Sequence, residues 1–183
     1  MLTSLDHNGF FTQDETIRLA SLGLWSAAAG RRASHLAMGG LMLAPVMQIV
    51  VRDNATTAAE FASVRGFLGR LEGELGLATL TDLEQIGTSM GLLPMLPATW
   101  GKTEFSEARC LLAAALDRLG ADDAVAARNI LAEAALDVAR AGSPHAISLR
   151  MVDDAERTML RALIDELHLE RSPQGMALLE QVS

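Results

Sequence analysis

The chain of 183 residues has no tyrosine, one cysteine and one lysine, and aromatic side chains make up 4% of it. Each shortage excludes something. With Cys110 alone no internal disulfide can form, so stability has to come from a packed core. Set in the apolar run Arg109-Cys110-Leu111-Leu112-Ala113, Cys110 reads as a buried, inert thiol. Scarce aromatics leave Leu, Ala, Val, Ile and Met to build the interior, which suits close helix–helix packing. Basic clusters are also missing: Arg31-Arg32 is the one adjacent basic pair, and the net charge is −8. A phosphate backbone is repelled by such a field, so nucleic acid is excluded as a partner and basic protein surfaces or cations are favoured. The N-terminus shows no basic segment followed by an apolar one, so no secretory leader is legible. A cytoplasmic location is expected, with membrane association as the alternative.

Long hydrophobic runs are scarce too. The strongest, Leu36 to Val51, is interrupted by Gly39, Gly40, Pro45 and Gln48 and falls short of the ~20 residues that span a bilayer. It reads as a buried core helix. The alternative is a docking module, in which segment 36–51 meets a membrane surface or a protein partner; self-association is a separate expectation that the sequence leaves open. Met38, Met42 and Met47 fit either an adaptable groove or core filling, and core filling is favoured.

What the chain does have is repeated helix punctuation. Thr12-x-x-Glu15, Thr57-x-x-Glu60, Thr81-x-x-Glu84 and Asp153-x-x-Glu156 each precede an apolar run of helical period. In such a capping box the N-cap oxygen accepts from the N3 amide, and the N3 carboxylate accepts from the N-cap amide. Seven or eight helices follow. The first spans Gln13 to Ala29, with a stripe of Ile17, Ala20, Leu24 and Ala28, and stops at Gly30. The second spans Ser34 to Val51, with a kink or break expected near Ala44 because Pro45 removes an amide. The third runs from Ala58 to Leu75 on Phe61, Val64, Leu68, Leu71 and Leu75, with Gly76 as its left-handed stop. A short fourth covers Asp82 to Met90. Leu92 to Gly101, holding Pro94, Pro97 and Trp100, is a linker near the midpoint. The fifth spans Glu104 to Leu119. The sixth follows Asp122-Asp123 and runs to Ala141, with Val125, Ile130, Ala134 and Val138 facing inward. The seventh covers Asp154 to His168 on Leu160, Leu163, Ile164 and Leu167, and Ser172-Pro173 opens a short eighth. No strand is expected. The fold class is all-α, a single-domain antiparallel bundle over residues 1–183, with four helices in 12–91, the linker 92–101 and four more in 102–181.

Chemistry is concentrated in Ser4 to Glu15. Aligned on Gly9, these residues fit a twelve-residue calcium loop: Asp6 at the third position, Asn8 at the fifth, Phe11 at the hydrophobic eighth and Glu15 at the twelfth. Asp6, Asn8 and Glu15 are the metal-ligand candidates for Ca²⁺ or another divalent cation. Ser4 stands where Asp is usual and no helix leads in, so a plain turn followed by a capping box is the competing reading. Asp153, Asp154 and Glu156, like Asp122 and Asp123, sit where a helix N-terminus favours carboxylates without any metal. His7, His35, His145 and His168 have no metal-ligand spacing and read as surface or boundary residues. No nucleophile elbow, phosphate loop or zinc box is present. Lys102 reads as an exposed lysine. Trp25 and Trp100 read as core plugs, with a pocket beside either as the enzyme alternative.

The run Ala134-Ala135-Leu136-Asp137-Val138-Ala139-Arg140-Ala141-Gly142, then Val152-Asp153-Asp154-Ala155-Glu156, then Leu160 to Leu169 resembles the TerB-like family of the tellurite-resistance and stress-response group. Asp6 to Glu15 resembles the same turn with Asn-Gly for Asp-Gly. The resemblance covers about a third of the chain and departs where Ala141-Gly142 lacks an acidic residue before glycine. It implies an all-helical fold, acidic cation-binding turns and a stress-related role in membrane-associated complexes. A non-enzymatic, cation-responsive binding or scaffold protein is therefore expected.

Overall fold

A computed structural model describes residues 2–6, 9–52, 57–77, 100–142 and 154–183. Those residues contain seven α-helices and no strand: α1 Gln13–Ser21, α2 Ala33–Val50, α3 Ala58–Leu75, α4 Lys102–Arg118, α5 Ala121–Gly142, α6 Asp154–Leu167 and α7 Pro173–Val182. Single 3₁₀ segments cover Thr3–Asp6, Ala27–Arg32 and Leu169–Arg171. The all-α bundle is as expected. The expected helix over Asp82 to Met90, the Thr81 box and residues 92–99 of the linker lie outside the described residues.

The punctuation forms as the side-chain chemistry requires. Thr12 and Thr57 each accept from the amide three residues on, and Glu15 and Glu60 each accept the cap amide in return, at 2.8 Å and 2.7 Å. Ser172 caps α7 by accepting from Gly175, with Pro173 behind it at the first helical position. The sequence does not signal that Gly101 opens α4, yet its amide donates to Glu104 at 2.9 Å.

The first helix is shorter than expected and the second is unbroken. The first helix ends at Ser21 instead of Ala29, because Gly23 adopts φ 74, a left-handed conformation that terminates helices. Its buried stripe is Glu15, Leu19 and Leu22; Ile17 and Ala20 are exposed, which corrects the expected face. The second helix does not break: α2 runs through Pro45 to Val50. Leu41, Met42 and Ala44 are fully buried and Val46 is 1% exposed, so packing on every side holds the backbone helical despite the missing amide. In α3 the stripe holds from Val64 to Leu75 and Gly76 ends the helix with φ 66, but Phe61 is 61% exposed. Lying one turn into the helix, Phe61 projects from the free end of the stripe.

Helix α2 is the axis of the molecule. By length and apolar composition it could cross a membrane, with a mean hydropathy of 1.4, but 72% of it is buried within the bundle. Helices α4 and α5 from beyond the linker pack closely on it, and α3 lies along α5. Segments on both sides of the linker therefore share one hydrophobic cluster. Helix α7 and the 3₁₀ turn before it close the far side of α5. Helix α1 differs: among the described residues its backbone makes no extended close approach to another α-helix, and side chains tie it to α4.

Truncating the axis should be costly and trimming the exposed aromatic should not. Leu41→Ala is expected to destabilise by about 2–5 kcal/mol and Phe61→Ser to stay within about 0.5 kcal/mol of the parent, measured as shifts in urea unfolding midpoints. Equal losses for the two would contradict this burial pattern.

Candidate functional site

In the acidic N-terminal turn a nearly buried carboxylate meets a guanidinium from a distant helix. Glu15 is 9% exposed, and its carboxylate is surrounded by donors. The Thr12 amide and hydroxyl both reach Oε2, at 2.8 Å and 3.1 Å. From the last turn of α4, Arg118 Nη1 donates to Oε2 at 2.9 Å and to the Phe10 carbonyl at 2.5 Å, while its Nη2 donates to Oε1. The guanidinium also lies over the Phe10 ring, 5.6 Å from its centre. Phe10 stacks edge-on against Phe11 at 5.0 Å and Phe11 against Trp25 at 6.1 Å, so an aromatic wall backs the ion pair.

Burial of Glu15 opposes ionisation. Arg118 and the Thr12 amide outweigh it and hold the carboxyl below its usual range. The neighbouring pair follows the same logic. Arg18 on α1 donates to Glu107 on α4, which lowers the Glu107 carboxyl and raises the guanidinium.

The proposed metal ligands have separate engagements. Asp6 is exposed and its carboxylate lies 3.0 Å from His35 Nε2. Glu15 faces Arg118, and Asn8 lies outside the described residues. Among the described residues no three His, Cys, Asp or Glu side chains form a metal-binding group. In the second acidic turn Asp154 is nearly fully exposed and pairs with Arg157 at 3.3 Å, whereas Glu156 is buried with Arg52 4.0 Å away; Asp153 is outside the described residues. His35 and His168 lie at helix ends; His7 and His145 are outside the described set. His168 adopts φ 52, a left-handed conformation that ends α6 one residue earlier than expected.

Cys110 corrects the sequence reading: it is exposed, with Arg18 Nη2 at 3.8 Å from its sulfur. The inward residues of α4 are Phe105, Ala108, Leu111, Leu112, Ala115 and Leu116, and Cys110 falls on the opposite face. Trp25 and Trp100 are half-buried and pack against the core, Trp100 edge-on to Phe105 at 5.6 Å. A cavity lined by Pro45, Val46, Leu131, Ala135, Leu163, Leu167 and Leu169 has a volume of about 10 Å³, room for at most a single water and far too small for a substrate.

Sequence reasoning missed the arginines. Arg128 is 4% exposed, donating to the Leu167 carbonyl at 3.2 Å and to Asp117 at 2.8 Å. Arg109 joins α4 to Gln48 of α2 and Glu166 of α6, and Arg70 joins α3 to Glu133 of α5. Only the helical phase gives a hint of this: Arg128 lies on the inward stripe of α5, four residues after Ala124 and three before Leu131.

These features define a protein class, an all-α bundle whose packed helices are tied by guanidinium–carboxylate pairs. No known protein family, curated protein or solved structure matches the chain.

Glu15 has a lowered folded-state value, so its contribution to stability is complete above its ordinary value of 4.5 and is lost as pH falls through the folded value. Urea unfolding from about pH 7 to about pH 3 should therefore show a steeper loss of stability for the parent than for Glu15→Gln, which lacks that titration. Parallel pH profiles would show that the pair does not stabilise the fold.

Proposed function

We propose that the chain is a non-enzymatic helical scaffold that binds a protein partner through a basic surface on that partner. The observation carrying this reading is the distribution of charge. The chain has 15 Lys and Arg against 23 Asp and Glu. Arg18, Arg70, Arg109, Arg118 and Arg128 are engaged with carboxylates of other helices, so their positive charge serves the bundle itself. The surplus stands on the surface as exposed carboxylates, among them Asp14, Asp122, Asp165 and Glu180. A negative field of this kind accelerates encounter with basic surfaces and repels nucleic acid. The TerB-like resemblance supports the same class and adds a stress-related setting.

The docking alternative is less well supported. It needs segment 36–51 on the surface, and Leu36, Met38, Leu41, Met42, Val46 and Ile49 are each 9% exposed or less. The enzyme alternative gains no support from Trp25 or Trp100, whose rings pack on Phe11 and Phe105.

Co-purification from cell extract at low and high salt tests the scaffold reading, with the parent compared to Asp122→Asn/Asp165→Asn/Glu180→Gln. Retention of a basic protein that weakens with salt and falls at least several-fold in the triple variant is expected. Retention indifferent to both would remove the electrostatic basis.

A further inference from the structure

The calcium-loop pattern of the N-terminal turn already has a cation in contact with it, and that cation belongs to the protein. Counted from Ser4, the seventh residue is Phe10 and the twelfth is Glu15. In a calcium loop these two positions supply a main-chain carbonyl oxygen and a bidentate carboxylate. Arg118 donates to both: to the Phe10 carbonyl at 2.5 Å, and through its two terminal nitrogens to the two oxygens of Glu15. We infer that the Arg118 guanidinium is the resident cation of this turn, and that its presence closes the turn to divalent metal.

The Glu15 carboxylate is already heavily engaged, with three donors on Oε2 and one on Oε1. A carboxylate offers about four lone-pair sites. The Thr12 amide, the Thr12 hydroxyl, Arg118 Nη1 and Arg118 Nη2 supply four donors. A divalent ion at Glu15 would have to displace the guanidinium from a bidentate pair and from the face of Phe10, leaving two cations beside one carboxylate. The acidic turn therefore does not fit the metal that the family resemblance implies.

The arrangement also explains how α1 stays in place. With no extended close approach to another helix among the described residues, α1 is joined to α4 by two pairs of opposite polarity, Glu15 with Arg118 and Arg18 with Glu107. Arg118 comes from 103 positions along the chain, so the turn acquires its cation only once α4 has packed. The turn is thus an ion-independent clasp between the N-terminal arm and the bundle.

Thermal unfolding and calorimetric titration with CaCl₂ decide the matter, using the parent, Glu15→Gln, Arg118→Met and the double variant. In the parent, millimolar Ca²⁺ should leave the midpoint unchanged and give no binding heat. Each single variant should lower the midpoint, and the double variant should lie no lower than the weaker single, because both remove one interaction. If Arg118→Met fails to fold, Arg118→Lys reads the same contact: it keeps a point charge without the fork and should still lower the midpoint. A Ca²⁺-dependent rise in the parent that vanishes in Glu15→Gln would overturn the inference. Additive losses in the double variant, or a lysine variant as stable as the parent, would do so too.

Discussion

The structure depends on sealing α2 from water. This helix carries methionines, leucines and valines around most of its circumference, and Gln48 is among its few polar residues. Exposed, it would seek a membrane or another apolar surface. Buried, it requires neighbours on several sides, and α3, α4, α5 and α6 all reach it. The order of the other helices follows from that requirement, since one amphipathic helix can cover only part of an apolar cylinder. The same enclosure carries α2 through Pro45, because a break there would expose fully buried residues.

Arginine is the second constraint. A guanidinium offers five donors in a planar fork, so one side chain can join a carboxylate, an amide and a backbone carbonyl from different helices. Arg109 reaches α2 and α6, Arg128 reaches Asp117 and the last turn of α6, and Arg118 reaches the N-terminal turn. With Lys102 the sole lysine, the chain relies on the cation best suited to such ties. Charge is thereby divided: Arg18, Arg70, Arg109, Arg118 and Arg128 face other elements of the fold, and much of the carboxylate excess faces solvent. Asp137 lies close to that division, its carboxyl raised by partial burial and by Glu133 despite Arg140 nearby.

Much of the fold was legible because its signals are local. Thr57 with Glu60, and Ser172 with Pro173, mark helix starts through bonds between residues three positions apart or fewer, and both formed. Leu160, Leu163, Ile164 and Leu167 are buried as their period requires. Misreadings arose where two local signals competed. Gly23 and Gly30 both could end the first helix, and the earlier one did. Cys110 is followed by two buried leucines but lies on the other face of the helix. The acidic turn was legible as a pattern of oxygens, yet nothing near it in the chain indicates which positive group meets them.

The sequence by itself determined that this protein is a set of amphipathic helices with an acidic balance and one apolar helix in need of burial. These properties follow from spacing within a few residues and from total charge. Only the tertiary structure decided which arginine meets which carboxylate, because such pairs join positions that are distant along the chain and adjacent only after packing. Glu15 shows both sides: its backbone role was set by Thr12, and its charge partner by the docking of α4.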